Sequence, residues 1–281
     1  IPLYHFGKPS ISADGNWIAF PAIDANKKWD IYLMSIAGGD PRRITYDSND
    51  NIECVDISPD GNFLLYDRGN SDSMKSGLYV IPILGGNSQK ISAKGTYAQW
   101  RPDGEVIGYI NLSQTKGKRG DPTVEFWNVK KDGNENRIVF IDTLKHPSFA
   151  AVVYYSFSWS LDGKSIAWLR SFPNGFAEII TRELEHQHEQ VISNNKKNIN
   201  DIVWVKEDEL LLSTDKNGNP NLWNISISKK IMSQITKGVM PIYTFDISTF
   251  SNDLVFSQEQ RVSDIWIANI DNFCFFRNAF C

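Results

Sequence analysis

At residues 56–61 the sequence reads Asp56-Ile57-Ser58-Pro59-Asp60-Gly61, and five altered copies of this hexapeptide recur along the chain of 281 residues. Three copies keep the Asp-Gly ending: Ser-Ile-Ser-Ala-Asp-Gly from residue 10, Gln-Trp-Arg-Pro-Asp-Gly from residue 99 and Ser-Trp-Ser-Leu-Asp-Gly from residue 158. Two more divergent copies, Val-Trp-Val-Lys-Glu-Asp and Asp-Ile-Ser-Thr-Phe-Ser, begin at residues 203 and 246. Their large apolar second residue recurs at intervals of 46, 43, 59, 45 and 43 residues. A period of roughly 40 to 50 residues is that of one four-stranded blade, so the hexapeptide predicts a repeat architecture.

Each repeat follows the same order of strand and turn signals. In the second repeat, residues 53–58 alternate into the hexapeptide, and Pro-Asp-Gly then favours a tight turn. Short apolar runs at residues 63–66 and 78–81 predict the next two strands, and residues 89–92 predict the last. Six such repeats occupy nearly the whole chain. The sequence therefore predicts an all-β, six-bladed β-propeller with four-stranded antiparallel blades, in a single domain over residues 1–281.

The two ends of the chain raise the question of how the ring closes. The sixth repeat has no clear fourth strand, and an open sheet edge invites aggregation. Ile1-Pro2-Leu3 precedes the first repeat at the distance at which a fourth strand precedes the next repeat. We therefore predict that the N-terminal segment completes blade six and closes the ring, with Phe273-Cys274-Phe275-Phe276 as the alternative strand.

Residues 177–191 conflict locally with this assignment. The stretch reads Ala-Glu-Ile-Ile-Thr-Arg-Glu-Leu-Glu-His-Gln-His-Glu-Gln-Val and is rich in helix formers. Its register matches the third strand, turn and fourth strand of the fourth repeat. We expect the repeat to override helix propensity here.

The repeat resembles that of the TolB-like six-bladed β-propellers. The shared features are Ser-Pro-Asp-Gly, an Ile-Ala-Phe strand, an Asp-Ile-Tyr-Leu-Met strand, Gly-Gly and a closing Ile-Thr, with the best copies at residues 12–45 and 58–92. The resemblance covers nearly the whole chain and implies the propeller domain alone, because the sequence shows neither the additional α/β domain of a full TolB protein nor the Gly-x-Ser-x-Gly elbow of a prolyl peptidase. Such propellers are periplasmic partners in the Tol-Pal system, sensor or binding domains, or gating domains of peptidases.

Net charge and hydropathy restrict the classes of partner that the protein can bind. The formal net charge is −4, which gives no general attraction to nucleic acid or anionic lipid. No apolar run reaches the roughly 18 residues that a membrane-spanning segment needs. We therefore expect no nucleic-acid binding and no membrane insertion, and the resemblance implies a monomer in the periplasm or another extracytoplasmic space.

The connectors between blades provide the candidate site. They gather at one face of a propeller, around the mouth of its central channel, and five of the six carry tyrosine, starting with Tyr4. Aromatic rings beside amide and carboxylate groups are suited to gripping a peptide or a glycan, although tyrosines at strand starts also pack between blades. The predicted binding residues are Tyr46, Asp47, Asn51, Glu53, Tyr97, Gln99, Tyr154, Tyr155, Asn200, Asp201 and Tyr243. The longest connector, residues 142–155, is a candidate lid or recognition element.

No motif predicts catalysis, a metal or a cofactor. His186-Gln187-His188 has a spacing that supports metal binding in a strand, but its register places it in an exposed turn. The stretch at residues 215–221 begins like a calcium loop and then has proline where that loop needs glycine. The sequence thus favours a non-catalytic binding or scaffold propeller that holds a protein segment or small polar ligand, such as a glycan, at the channel mouth. A carbohydrate-active lyase or hydrolase, and the sensor domain of a larger protein, are the alternatives.

Overall fold

Six antiparallel sheets make up the described part of the chain, without a helix. The computed structural model describes residues 3–46, 51–52, 54–69, 74–113, 123–143, 156–171, 177–195, 199–215, 218–238, 241–259, 263–269 and 275–277. Within these residues each sheet is built from consecutive strands of one repeat. The predicted six-bladed β-propeller is therefore confirmed.

The strands follow the repeats in chain order. Blade one contains β1 (Leu3–Phe6), β2 (Ser10–Ile11), β3 (Trp17–Asp24), β4 (Trp29–Ser35) and β5 (Arg42–Arg43). Blade two contains β6 (Val55–Ile57), β7 (Phe63–Arg68), β8 (Gly77–Pro82) and β9 (Gln89–Ser92). Blade three contains β10 (Thr96–Trp100), β11 (Val106–Ser113), β12 (Thr123–Lys130) and β13 (Arg137–Thr143). Blade four contains β14 (Phe157–Trp159), β15 (Ser165–Ser171), β16 (Ala177–Glu183) and β17 (Glu189–Asn195). Blade five contains β18 (Ile199–Lys206), β19 (Glu209–Thr214), β20 (Asn221–Ser226) and β21 (Met232–Gln234). Blade six contains β22 (Phe245–Ile247), β23 (Asp253–Glu259), β24 (Ser263–Asn269) and β25 (Phe275–Arg277). Residues 177–191 thus form two strands and their turn, as predicted.

The repeat hexapeptide forms the turn that leaves the innermost strand. In blade two the Ser58 hydroxyl donates to Asp60 Oδ1 at 2.6 Å and accepts from the Phe63 amide at 2.9 Å. The Asn62 amide also donates to Asp60 Oδ1, at 3.0 Å. Gly61 follows with φ of 71°, a left-handed conformation that favours glycine. Because blades one and four repeat these bonds, the Ser-x-Asp-Gly pattern is explained by the turn itself.

Two glycines of this turn give a matched test of how the ring is joined. Gly15 and Gly61 have φ of 75° and 71°, so alanine strains the backbone at both, by about 1 kcal/mol or more. A methyl group at Gly61 would meet nothing within 4 Å, whereas at Gly15 it would overlap Ser251 Oγ of blade six. We expect Gly15→Ala to lower the free energy of unfolding more than Gly61→Ala, as measured by urea denaturation. Equal losses would contradict the contact between blades one and six.

Apolar side chains from facing blades form six clusters, one at each interface of the ring. The third strands of five blades carry an aromatic residue at one equivalent position, and these residues pack between blades. Tyr32, Tyr79 and Trp223 are buried in these clusters, and Trp127 and Trp266 pack against them. Each sheet buries its faces on its two neighbours, which accounts for the regular aromatic spacing.

The predicted closure by the N-terminal strand is wrong. β1 pairs with β3 of blade one, with Leu3 opposite Asp24, and β25 supplies the fourth strand of blade six. The reason lies in the length of β3, which has eight residues while β2 pairs with only two of them. β1 pairs the exposed backbone groups that β2 leaves on the same edge of β3. The alternative strand proposed from the sequence is the one that the structure shows, over Phe275–Arg277.

Blades one and six meet through side chains and turns instead of a shared sheet. The Ile11 amide donates to Asp246 Oδ2 at 2.9 Å, and the Ser248 hydroxyl donates to the Ala13 carbonyl at 2.7 Å. Val255 and Ile267 of blade six pack in one apolar cluster with residues of blade one. These contacts close the ring and surround its central channel.

Candidate functional site

The six inner strands surround a cavity of about 810 Å³. Two layers of side chains line it, and each layer contains one side chain from each of the six blades. The middle layer consists of the first residue of each hexapeptide: Ser10, Asp56, Gln99, Ser158, Val203 and Asp246. The mouth layer lies two residues earlier, nearer the connectors, because alternate residues of a strand point to the same side. It consists of Lys8, Cys54, Tyr97, Ser156, Asp201 and Thr244.

The middle layer also joins neighbouring blades. At four of the six interfaces, its side-chain oxygen accepts a hydrogen bond from the backbone amide of the apolar residue in the next hexapeptide. The bonds run from Ile57 N to Ser10 Oγ (3.1 Å), from Trp100 N to Asp56 Oδ2 (2.7 Å), from Trp204 N to Ser158 Oγ (2.9 Å) and from Ile11 N to Asp246 Oδ2 (2.9 Å). The first position of the hexapeptide therefore both stabilises the ring and faces the cavity.

A buried ion pair lies in the mouth layer. Lys8 Nζ of blade one is 2.8 Å from Asp201 Oδ1 of blade five, and the Asp201 side chain is 2% exposed. Asp201 also accepts bonds from Ser156 Oγ (2.5 Å), the Ile202 amide (3.0 Å) and the Phe245 amide (3.1 Å). Burial lowers the pKa of Lys8, but the charge and hydrogen bond of Asp201 outweigh it, so the pKa is raised overall. Lys8 is thus a cation, and its salt bridge is with a carboxylate that accepts four hydrogen bonds, the one from Lys8 included.

Two further carboxylates lie beside this pair, in the middle layer. Burial raises the pKa of Asp56 to about 7, and the negative charge of Asp246 adds to the rise. Burial also raises the pKa of Asp246. The Ser10 hydroxyl donates to Asp56 Oδ1 at 3.3 Å and interacts with Asp246 as well. Near neutral pH, Asp56 therefore carries a proton for part of the time.

The predicted site residues fall into three groups. Five of them line the cavity: Tyr97, Gln99, Asn200, Asp201 and Tyr243. Two are described but lie outside that lining, since Tyr46 is 72% exposed with its ring over Arg43, and Asn51 pairs with Gly69 through the backbone. Asp47, Glu53, Tyr154 and Tyr155 lie outside the described residues, as do residues 144–155 of the longest connector.

Sequence reasoning missed the charged residues of the cavity other than Asp201. Asp56 and Asp246 are the first residues of their hexapeptides, and Lys8 lies two residues before the first hexapeptide. The available signal was the polar first residue of the hexapeptide, which alternates with apolar residues in an inner strand and therefore faces the channel. The aspartates at this position in blades two and six both line the cavity.

The described residues contain no group of three or more His, Cys, Asp or Glu side chains placed to hold a metal ion. His186 lies in the exposed turn between β16 and β17, where its Nδ1 is 2.8 Å from Glu183 Oε1. This is the turn predicted from the repeat register. Neither His186 nor His188 lines the cavity.

The chain is similar in structure to several solved proteins. The β-propeller domain of the Trilobed protease from Pyrococcus furiosus aligns with a TM-score of 0.63 and 15% identity, over 99% of this chain and 98% of that one. An oligogalacturonate lyase in complex with manganese aligns with a TM-score of 0.62 and 12% identity, over 99% and 84%. A putative TolB from Agrobacterium tumefaciens aligns with a TM-score of 0.45 and 14% identity, over 98% and 81%.

These likenesses concern the fold alone, because the identities are 15% or lower. No protein-family model and no curated protein matches the sequence. Within the described ranges, no helix is long and apolar enough to cross a membrane.

Proposed function

We propose that this propeller is a non-catalytic binding module that holds a protein segment or a small polar ligand in its central channel, at the mouth where the connectors meet. The cavity is the observation that carries the proposal. Its volume of about 810 Å³ falls in the range of roughly 300 to 1,000 Å³ that is usual for ligand sites. All six blades line it, and apolar walls surround a few convergent polar groups.

The mouth layer supports the same proposal because its six side chains all differ. Blades that served only as scaffold would repeat one residue type at equivalent positions, as the apolar residue of the hexapeptide nearly does. Here a lysine, a cysteine, a tyrosine, a serine, an aspartate and a threonine occupy them. Such an asymmetric ring fixes the orientation of a bound ligand.

Tyrosines inside and outside the lining allow a controlled test. Tyr97 and Tyr243 line the cavity, whereas Tyr46 is exposed away from it. The probes are an array of immobilised hexapeptides of varied sequence and an array of neutral, acidic and amino oligosaccharides, with Kd values for the positives from calorimetry. We expect Tyr97→Ala and Tyr243→Ala to raise Kd by about tenfold or more, as large aromatic contacts do, and Tyr46→Ala to leave it unchanged. Absence of binding on both arrays, or an equal loss in Tyr46→Ala, would overturn the proposal.

A carbohydrate-active enzyme is the second candidate, and one observation favours it. Asp56 and Asp246 are two cavity carboxylates with raised pKa values, and a carboxyl with a pKa of about 7 is suited to general acid or base catalysis. Release of reducing or unsaturated ends from polysaccharides, lost in Asp56→Asn, would establish the enzyme. Binding of an oligosaccharide without turnover would support the binding module.

We place the propeller outside the cytoplasm as a monomer without a resident cofactor, with no role in nucleic-acid or membrane binding, in keeping with its net charge of −4. As the sensor domain of a larger protein it would use the same channel. The Pyrococcus propeller is itself named as the domain of a protease.

A further inference from the structure

The cavity has two ends of different chemistry. The inner strands run from the connectors to the hexapeptide turns, so the fourth residue of each hexapeptide lies at the end of the channel away from the mouth layer. Five of these fourth residues line the cavity, together with the fifth residue of the last hexapeptide. This set, which we call the turn rim, consists of Ala13, Pro59, Pro102, Leu161, Thr249 and Phe250. Five of its six members are apolar.

Two large side chains of the turn rim are exposed to water. Phe250 is 81% exposed and Leu161 is 46% exposed. At the position of Phe250, four other hexapeptides have the aspartate whose Oδ1 accepts hydrogen bonds within the turn. At the position of Leu161, the other blades have alanine, proline, lysine or threonine. The turn therefore explains neither residue, and exposed apolar groups that converge on a cavity are a feature of ligand sites.

The turn end offers few free polar groups to a ligand. The hydroxyls of Ser12, Ser58 and Ser160, the third residues of three hexapeptides, each donate to the turn aspartate and accept from a turn amide. Within the turn rim, Thr249 alone has a polar side chain. A peptide or glycan bound here would exchange the water around its amides or hydroxyls for apolar groups, which weakens binding. An alkyl chain has no such groups and is the occupant that the turn end favours.

The mouth end has the opposite character. Gln99 and Asn200 line the cavity there, and their side-chain amides have no hydrogen-bond partner among the described residues. An amide both donates and accepts, so it matches hydroxyl or amide groups of a ligand. Three carboxylates and one lysine, Lys8, also line the described cavity, and this balance disfavours an anionic ligand group. The mouth end therefore favours an uncharged polar group.

We propose that the channel binds an amphiphile with a single alkyl chain and an uncharged head that carries hydroxyl or amide groups. The chain lies at the turn end between Leu161 and Phe250, and the head lies at the mouth end beside Gln99 and Asn200. This inference rests on the proposed binding function and names the chemical class of its ligand. Such a molecule matches both ends of the cavity and leaves no polar group among the apolar residues of the turn rim.

The surroundings of the turn rim disfavour a lipid bilayer as the source of the chain. The four turn aspartates that neighbour the rim are all exposed: Asp14, Asp60, Asp103 and Asp162. Their carboxylates repel an anionic membrane surface. The alkyl chain therefore enters as part of a single dissolved molecule.

The test is a series of alkyl β-glucosides, from methyl through butyl to octyl, titrated by calorimetry below their micelle concentrations. Each CH₂ group that is buried at the turn end lowers Kd by up to about fourfold. We expect octyl glucoside to bind at least about tenfold more tightly than butyl glucoside, with one molecule for each protein chain. Octyl sulfate, which has the same chain and an anionic head, should bind at least about tenfold more weakly than octyl glucoside at low salt.

Two rim substitutions that the repeat itself supplies give the variant. Leu161→Thr introduces the residue of blade six, and Phe250→Asp introduces the aspartate of the other turns, so both are compatible with the turn. The double variant should reduce the preference for octyl over butyl glucoside to about threefold or less, while the Kd for methyl glucoside stays the same. Leu84→Thr is the matched control, because Leu84 is exposed in the turn between β8 and β9 and does not line the cavity. It should keep the full preference.

The outcomes separate this inference from the proposed function. Equal Kd values for butyl and octyl glucoside, or a preference that survives in the double variant, would overturn the alkyl site while leaving a channel ligand of another kind in place. Several molecules of octyl glucoside for each chain, or an equal loss in Leu84→Thr, would also overturn it. Sedimentation with phosphatidylcholine vesicles that the double variant abolishes would overturn the single dissolved ligand. Absence of binding by every glucoside and on both arrays would overturn the inference and the proposed function together.

Discussion

Replacing Lys8 with methionine is expected to lower the free energy of unfolding by roughly 3 kcal/mol or more, the scale found when a buried ion pair loses one partner. The Asp201 side chain is 2% exposed, so its charge would be left in the protein interior with only neutral donors. Methionine keeps much of the apolar stem of lysine, which confines the effect to the charge. Urea denaturation of the two proteins measures the loss.

A double-mutant cycle assigns that loss to the pair. Asp201→Asn keeps an acceptor for its backbone donors, and the combination with Lys8→Met should cost less than the two single changes together. The control is Lys206→Met, because Lys206 and Glu209 form an exposed pair at 3.4 Å that contributes about 0.5 kcal/mol or less. If Lys8→Met were as mild as Lys206→Met, the pair would not join blades one and five.

Replacing Asp56 with asparagine is expected to remove the contribution of Asp56 to the pH dependence of the free energy of unfolding. The pKa of Asp56 is about 7 in the folded protein, against 3.8 for an aspartate exposed to water, so between these values the folded state binds more protons than the unfolded state. The contribution of Asp56 to the free energy of unfolding therefore falls as the pH rises from about 4 to 7. Above pH 7, Asp56→Asn should be more stable than the parent by up to about 4 kcal/mol, at roughly 1.4 kcal/mol for each pKa unit.

Urea denaturation between pH 5 and 8 measures this difference, since Lys8, whose pKa is raised, stays protonated throughout this range in both proteins. Asp208→Asn provides the opposite sign. Hydrogen bonds from Ser226 and Ser228 lower the pKa of Asp208, so its stabilising contribution is present above the unfolded pKa and lost in acid. Asp208→Asn should thus be less stable than the parent at pH 7. A parent and an Asp56→Asn protein with the same pH profile would contradict the burial of the Asp56 charge.

The fold could be predicted because its signals are local and repeated. Ser58, Asp60 and Gly61 form a turn from contacts within five residues, and the same spacing recurs along the chain. The repeat also predicted the strands of residues 177–191 correctly, where helix propensity pointed the other way. Closure could not be predicted in this manner, since it depends on the length of β3 and on which strand takes its free edge.

Part of the cavity lining could be predicted from the sequence, for a physical reason. Tyr97, Gln99, Asn200, Asp201 and Tyr243 follow from the rule that connectors meet at the channel mouth, and they line the cavity. The pairing of Lys8 with Asp201 joins residues 193 positions apart, which no spacing in the sequence indicates. The raised pKa of Asp56 is a consequence of burial by neighbouring blades and has no local signature.

The binding site that we propose is the central channel, at the mouth where the connectors meet. A crystal structure of the propeller with a ligand identified on the hexapeptide or oligosaccharide arrays tests this assignment most directly. We predict density for that ligand inside the channel, in contact with the Tyr97 and Tyr243 rings. Density for the ligand along an outer blade edge, with the channel holding only solvent, would contradict it.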